Sequence, residues 1–425
     1  MSRLSKRSVL RGSVGLLTRR ALLGAAPAAL ALGAPQFLAR PARAAKQYGP
    51  GVSDSEIKIG NTSPYSGPLS NASPIPKSMI AYFKMINDQG GVNGRKITCI
   101  SYDDGYSPPK TVEMTRKLVE SDGVFIVAGS IGTPTNTAIW RYMNEKQVPQ
   151  LFPGTGATKW DDPKGHPWTM AFFPSYRAEG SIYAGFILKH KPDAKIGLLY
   201  QNDDFGKDYV DGLLDGLGAK AASLIKLKTT YETTDPTVDS QILQMQAQGC
   251  DTLVCIAIPK FEAQAIKKAA AIEWKPLFIT DGIAASVGAA FKPAGLENCK
   301  GIITDNAFKD PTDPTWENDA GYKWWIAFMN KYYPDGDKSD NGAVYGPSIA
   351  ATVVQVLKQC GNDLTRENVM RQAANLHQFE LPMLQPGITV NTSPTNFDAI
   401  RQVRMERFDG ERFKTFGPVL SSTVS

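Results

Sequence analysis

Leu253-Val254-Cys255-Ile256-Ala257-Ile258 runs through six apolar residues without a polar interruption. A strand with one wet face alternates apolar and polar residues. A run apolar on both faces belongs in a parallel sheet covered by helices above and below. The flanks agree with that reading. Residues 238–248 and 261–272 carry helical spacing, and 276–280 reads as another short strand. Upstream, 177–189 and 206–217 read as helices, and 195–200 and 222–227 as strands.

A similar unit precedes this one. Strands are expected at 56–60, 96–102, 124–128 and 148–152. Helices are expected at 77–87, 109–121 and 135–146, the first with Met79, Tyr82, Phe83 and Ile86 on one face. The last quarter differs. It offers helices at 316–331, 347–359 and 365–375, then strands at 384–390 and 402–408 with Asp409-Gly410 as a hairpin turn. The end of the chain therefore folds back instead of adding a third unit. The expected class is α/β, with two doubly wound, largely parallel-sheet lobes and a cleft between them. Open sheets of this kind bind ligands beyond the carboxyl ends of their strands.

With 425 residues the chain exceeds a single core. Its formal charge of +6 comes from the N-terminus. Residues 1–44 hold Arg3, Lys6, Arg7, Arg11, Arg19, Arg20, Arg40 and Arg43 and no acidic residue. Taking these eight from the 47 Lys and Arg leaves 39 against 41 Asp and Glu. The body is slightly acidic and carries no argument for nucleic acid. Residues 21–32 are rich in Ala and Leu, and Ala42-Arg43-Ala44 is a small-x-small exit. Together they read as an export signal over 1–44, with the mature chain starting at Ala45. Thr18-Arg19-Arg20-Ala21-Leu22-Leu23 resembles a twin-arginine signal. No cysteine follows the cleavage position, so no lipid anchor is expected.

No enzyme motif is present: no GxGxxG after the first strand, no P-loop lysine, no GxSxG and no HExxH. Three His and the spacing of Cys99, Cys250, Cys255, Cys299 and Cys360 support no metal site. A Cys250–Cys299 or Cys255–Cys299 bridge stays open, whereas Cys250 and Cys255 face opposite sides of a strand. Trp324-Trp325 reads as core, with an aromatic ligand shelf as the alternative. Neither a cofactor nor a metal is expected.

An ordered series of short motifs resembles the periplasmic leucine/isoleucine/valine-binding family, the type 1 solute-binding proteins of ABC transporters. It runs through Ile57-Lys58-Ile59-Gly60, Ser66-Gly67-Pro68, Ile86-Asn87, Gly90 to Ile97, Tyr102-Asp103-Asp104, Val127 to Ser130, Val148-Pro149, Phe152-Pro153, Asp204-Phe205-Gly206 with Tyr209, and Asp281-Gly282. The resemblance implies three hinge crossings. They divide the chain into lobe one (52–172 plus 308–385) and lobe two (173–307 plus 386–425). It further implies a monomeric, non-enzymatic periplasmic receptor that traps a small molecule by cleft closure and docks on an inner-membrane ABC permease. A soluble sensing module for a signalling partner is the alternative.

The family's ligand contacts map onto particular residues here. The loop that holds the ligand carboxylate matches Ser130 through Thr133, and a second loop matches Gly154-Thr155-Gly156, with Gly156 where relatives carry a hydroxyl. Phe205 matches a ligand-covering Tyr. Asp281 matches an acidic residue that pairs with the ligand ammonium. The implied site is thus Ser130, Thr133, Gly154, Thr155, Phe205 and Asp281. Ala72 and Ile258 replace aromatics, and Tyr106 and Gly132 stand where relatives have a disulfide. The expected ligand is an apolar or aromatic amino acid of the branched-chain type, with an aromatic carboxylic acid or a small amide as alternatives.

Overall fold

The computed structural model describes residues 46–421; the expected export signal and its cleavage point lie outside them. The run that opened the reading is a wholly buried strand, Thr252–Ile256. It sits inside a seven-stranded sheet in the order Phe413–Ser421, Gln402–Phe408, Ile303–Asn306, Leu277–Thr280, Thr252–Ile256, Ile196–Gln201, Ile225–Tyr231. The inner pairs are parallel, with Phe278 beside Leu253 and Leu198 beside Val254. Only the two pairings of Gln402–Phe408, with Ile303–Asn306 and with Phe413–Ser421, are antiparallel. Asp409 turns that hairpin, its Oδ1 accepting from the Glu411 and Arg412 N–H groups.

A second sheet is fully parallel, in the order Lys96–Asp103, Glu56–Ser63, Ile126–Ala128, Gln150–Leu151, Thr169–Met170. Helices Pro74–Asp88 and Gly342–Cys360 pack together. The Ser78 hydroxyl joins them by donating to the Gly342 carbonyl at 3.2 Å.

Three elements differ from the sequence reading. The expected strand at 384–390 is a turn-rich segment with isolated bridges, Phe308 to Leu384 and Phe379 to Val390. Pro386 has no N–H to give a ladder, and Gly387 at φ 86° turns the chain. Residues 221–224 continue as helix, so the strand expected at 222–227 starts at Ile225. The helix expected from Pro347 begins at Gly342, with Pro347 inside it.

A proline in a helix interior orphans the carbonyl four residues earlier. Here that group is the Ala343 carbonyl, and the buried Trp325 indole N–H donates to it at 2.9 Å. Trp325 is therefore core, with a polar duty, and no ligand shelf. Replacing it with Phe is expected to cost about 1–3 kcal/mol, the penalty of a buried acceptor left without a donor. Denaturant unfolding reads this directly, and an unchanged midpoint would refute it. All five cysteines are free, so neither bridge left open by the sequence forms.

Candidate functional site

Several chain segments leave the carboxyl ends of strands in both sheets and converge on one cavity. It encloses about 710 Å³, part of it continuous with solvent. From the five-stranded sheet come Ile131, Gly132 and Thr133, and beside them Gly154. The two loops are zipped together. Gly154 N–H donates to the Ser130 carbonyl at 2.7 Å, and Gly132 N–H to the Gly154 carbonyl at 3.2 Å. Helix Thr133–Glu145 starts at this point, with Pro at its first turn. Its N-terminus opens on the cavity, where unpaired N–H groups and the helix dipole favour an anion.

The Thr133 hydroxyl is buried and lies 2.7 Å from the Thr155 hydroxyl. Thr155 stands behind Thr133, not on the wall. Its oxygen also accepts from Ala157 N–H at 3.2 Å and from the Trp160 indole at 3.3 Å. Ser130 is likewise off the wall. Its Oγ accepts from Thr62 N–H and bonds the Thr62 hydroxyl, both at 3.1 Å, tying two strand ends. Of the six implied residues, then, Thr133, Gly154, Phe205 and Asp281 line the cavity, and Ser130 and Thr155 do not. At Gly156 a hydroxyl residue has no room. A Cβ there would lie 2.1 Å from the Pro174 carbonyl oxygen and 2.8 Å from the Tyr176 ring.

The seven-stranded sheet supplies Ile258, Asp281 and Ile283. Asp281 is fully buried, and each carboxyl oxygen accepts one backbone N–H, from Ala257 at 3.1 Å and Ala284 at 2.9 Å. Burial pushes its carboxyl up to about 7. The backbone hydrogen bonds pull against this, and the neighbouring Asp305 charge adds to it. Asp305 is itself raised to about 7 by burial, although Tyr183 O–H donates to it at 2.7 Å. Beside it Glu179, which receives Tyr209 O–H at 2.6 Å, is pushed well above the usual carboxylate range by burial and by Asp305.

Phe205 meets Tyr176 edge-on, ring centres 5.2 Å apart, and both rings line the cavity with Phe173 and Tyr345. No Lys, Arg or His lines it among the described residues. The walls are thus apolar and aromatic, with a helix N-terminus on one side and a carboxyl on the other. That set can hold a small carboxylate carrying an apolar body and a donor group.

Residues not expected at the site complete the wall: Asn71, Ser286, Asp340 and Asn341, together with Tyr106, which the sequence places only at the position of a missing disulfide. Tyr106 accepts from Gln201 Nε2 at 3.2 Å, bridging the ends of the two sheets. Its ring packs on Gly132. The signal for Asp340-Asn341 was a turn dipeptide, Asn341-Gly342, just before a helix.

Removing the Thr133 hydroxyl is expected to weaken ligand binding by about 1–3 kcal/mol, the usual loss when a ligand oxygen goes unmatched. Calorimetry on Thr133→Val, which keeps the shape, measures this. Unchanged affinity with lowered stability would leave Thr133 only its bond to Thr155.

Residues 56–411 match the sequence model of a family described as Periplasmic binding protein. Leu/Ile/Val-binding protein homolog 1 of Brucella abortus (strain 2308) is 26% identical over 179 residues, 42% of this chain and 47% of that protein. The chain thus spans about half the length of the curated relatives it matches. A branched chain amino acid ABC transporter protein from Thermus thermophilus, solved with bound valine, superposes with a TM-score of 0.78 at 17% identity. The alignment covers 87% of this chain and 97% of that one. A fatty acid ABC transporter substrate-binding protein from Thermomonospora curvata superposes with a TM-score of 0.75 at 21% identity, covering 88% and 95%. These likenesses establish the shared fold.

Proposed function

Since the chain belongs to the periplasmic binding protein family, in its Leu/Ile/Val-binding type, we propose that it is the substrate-binding component of an ABC uptake transporter, non-enzymatic and working in the periplasm. In this reading it traps a small carboxylate-bearing ligand, an apolar or aromatic amino acid, and presents it to a membrane permease. One observation carries the reading: a single apolar cavity places Thr133 with a helix N-terminus on one side and the buried carboxyl of Asp281 on the other. The first suits a carboxylate. The second suits an ammonium, because a buried carboxylate is costly until its charge is matched.

Lobe one is taken as 52–172 plus 308–385 and lobe two as 173–307 plus 386–425, with closure as a hinge motion at the three crossings. In support, Thr169–Met170 ends one sheet and Ile196–Gln201 starts in the other. The chain leaves the seven-stranded sheet after Asn306 and re-enters it at Gln402. No helix among the described residues is long and apolar enough to cross a membrane.

An aromatic carboxylic acid or a small amide is the second reading. It is favoured by the wall itself, where Tyr106, Phe173, Tyr176, Phe205 and Tyr345 gather and burial raises the Asp281 carboxyl to about 7, leaving about half of it protonated at neutral pH. A thermal-shift screen of amino acids, aromatic acids and amides separates the two, since binding selectively stabilises the folded state. Small-angle scattering with the best ligand should then show compaction. A stabilising ligand that leaves the scattering profile unchanged would defeat cleft closure, and no stabilisation by any of the three classes would defeat the ligand reading.

A further inference from the structure

Asn341 lies at the start of helix Gly342–Cys360, on the cavity wall, and is 5% exposed. Its Nδ2 donates to the Ala285 carbonyl at 3.0 Å, and its backbone N–H donates to Ser286 Oγ at 3.3 Å. Its Oδ1 has no hydrogen-bond partner. The orientation is not arbitrary. Exchanging oxygen and nitrogen would set the amide oxygen against the Ala285 carbonyl, two acceptors in contact. Beside it, Asp340 is also buried and on the wall, its Oδ1 accepting from Gly342 N–H at 2.8 Å. Asn71, partly buried on the same wall, has a second Oδ1 without a partner. The two Oδ1 atoms and the Asp340 carboxyl are acceptors, and no Lys, Arg or His among the lining residues answers them. A buried acceptor without a donor is costly, and closed cavities rarely keep one.

We propose that Asn341 Oδ1 is the centre of a second polar subsite, which takes an N–H or O–H donor on the body of the ligand, apart from its carboxylate and from the group facing Asp281. The inference rests on the binding-protein reading above and narrows it: the ligand has an apolar body that carries one further donor. A wholly apolar side chain leaves Asn341 unmatched, and a donor-bearing isostere satisfies it. The sign is informative. A plain hydrophobic pocket prefers the apolar isostere, whereas a site with a buried unpaired acceptor prefers the donor.

The test uses three near-isosteric pairs that set a donor at increasing distance from the α-carbon: valine and threonine, leucine and asparagine, phenylalanine and tyrosine. Calorimetry on the full mature chain is expected to show, in one pair, the donor-bearing member binding about tenfold tighter or more, the size of one satisfied buried hydrogen bond. Asn341→Leu should erase that preference. Asn341→Asp keeps an acceptor at the position but loses the Nδ2 bond to Ala285, so it should weaken both members and preserve the preference. If Asn341 served only to hold the cavity shut, all variants would weaken both members alike. The subsite is overturned if the apolar member wins in every pair, or if the preference survives Asn341→Leu. If none of the six amino acids binds, the amino-acid reading fails on its own. The subsite is then decided by 3-phenylpropionate against 3-(4-hydroxyphenyl)propionate: tighter binding of the hydroxylated acid, lost in Asn341→Leu, upholds it, and anything else overturns it.

Discussion

Affinity for an amino-acid ligand is expected to fall about fivefold between pH 7 and pH 6, and about fiftyfold between pH 7 and pH 5. The cause is the carboxyl of Asp281. This group is held up to about 7 by burial, with Asp305 adding to the rise against two backbone hydrogen bonds. An ammonium is matched only by the ionised form. Below pH 7 the site must first release a proton, and the apparent affinity is scaled by the ionised fraction. Asp340, raised by burial to about 6, lines the same cavity and adds to the fall at the acid end. The measurement is calorimetry across pH 5–7.5 in two buffers of different ionisation enthalpy, which also counts the proton released. Asp281→Asn should bind weakly with a much flatter profile. The ligand-free protein should respond in the opposite sense. For Asp281 and Asp305 the folded state holds the proton more tightly than an unfolded aspartate near 3.8 does. Their contribution is therefore complete below about pH 4 and is lost as pH rises through 7, so the unliganded melting temperature should decline over that window. Tight amino-acid binding with a flat pH profile would show that no ammonium meets Asp281.

The two sheets were legible because their signal is local. The unbroken run at 253–258 could only be a strand covered on both faces, and Thr252–Ile256 is one. The start of helix Gly342–Cys360 was not legible, because Pro347 reads as a boundary. Only the distant Trp325 indole, which serves the orphaned Ala343 carbonyl, makes a proline tolerable inside it. That misreading hid Asp340 and Asn341, which then looked like loop. Asp281 was found from the resemblance alone, and its burial could not be read from a turn-like Asp-Gly pair. The hydroxyls of the two loops at the edge of the five-stranded sheet show the limit most sharply. Ser130, Thr133 and Thr155 are chemically alike, but only Thr133 reaches the wall. The backbone at Gly132, with φ 100° and ψ 147°, decides which side chain turns inward, and no pattern of residue types reports that angle.

Gly132 is also where a single methyl group is expected to disturb both the fold and the site. Its backbone lies in a region that only glycine occupies at low cost, and another residue there stores about 1–3 kcal/mol of strain. A Cβ would sit 2.4 Å from Tyr106 Cε2 and 2.7 Å from Thr135 Oγ1. The Tyr106 ring is buried and tethered, its hydroxyl accepting from Gln201 Nε2 at 3.2 Å. Overpacking of this kind adds about 1–3 kcal/mol. Gly132→Ala is therefore expected to destabilise the protein by about 2–6 kcal/mol in total, and to weaken ligand binding at least tenfold, because the residue also begins the helix that faces the ligand. The two causes are separable. Tyr106→Ala in the same chain removes the clash and leaves the backbone strain, so the double variant should recover about 1–3 kcal/mol relative to the sum of the two single losses. Unfolding and calorimetry on all four proteins complete the cycle. A Gly132→Ala protein with native stability would mean that the loop before helix Thr133–Glu145 adopts another conformation, and the anion side of the site would have to be rebuilt from different atoms. Strict additivity would be a different result: strain alone would then account for the loss, and Tyr106 would bridge the two sheets without bracing the loop.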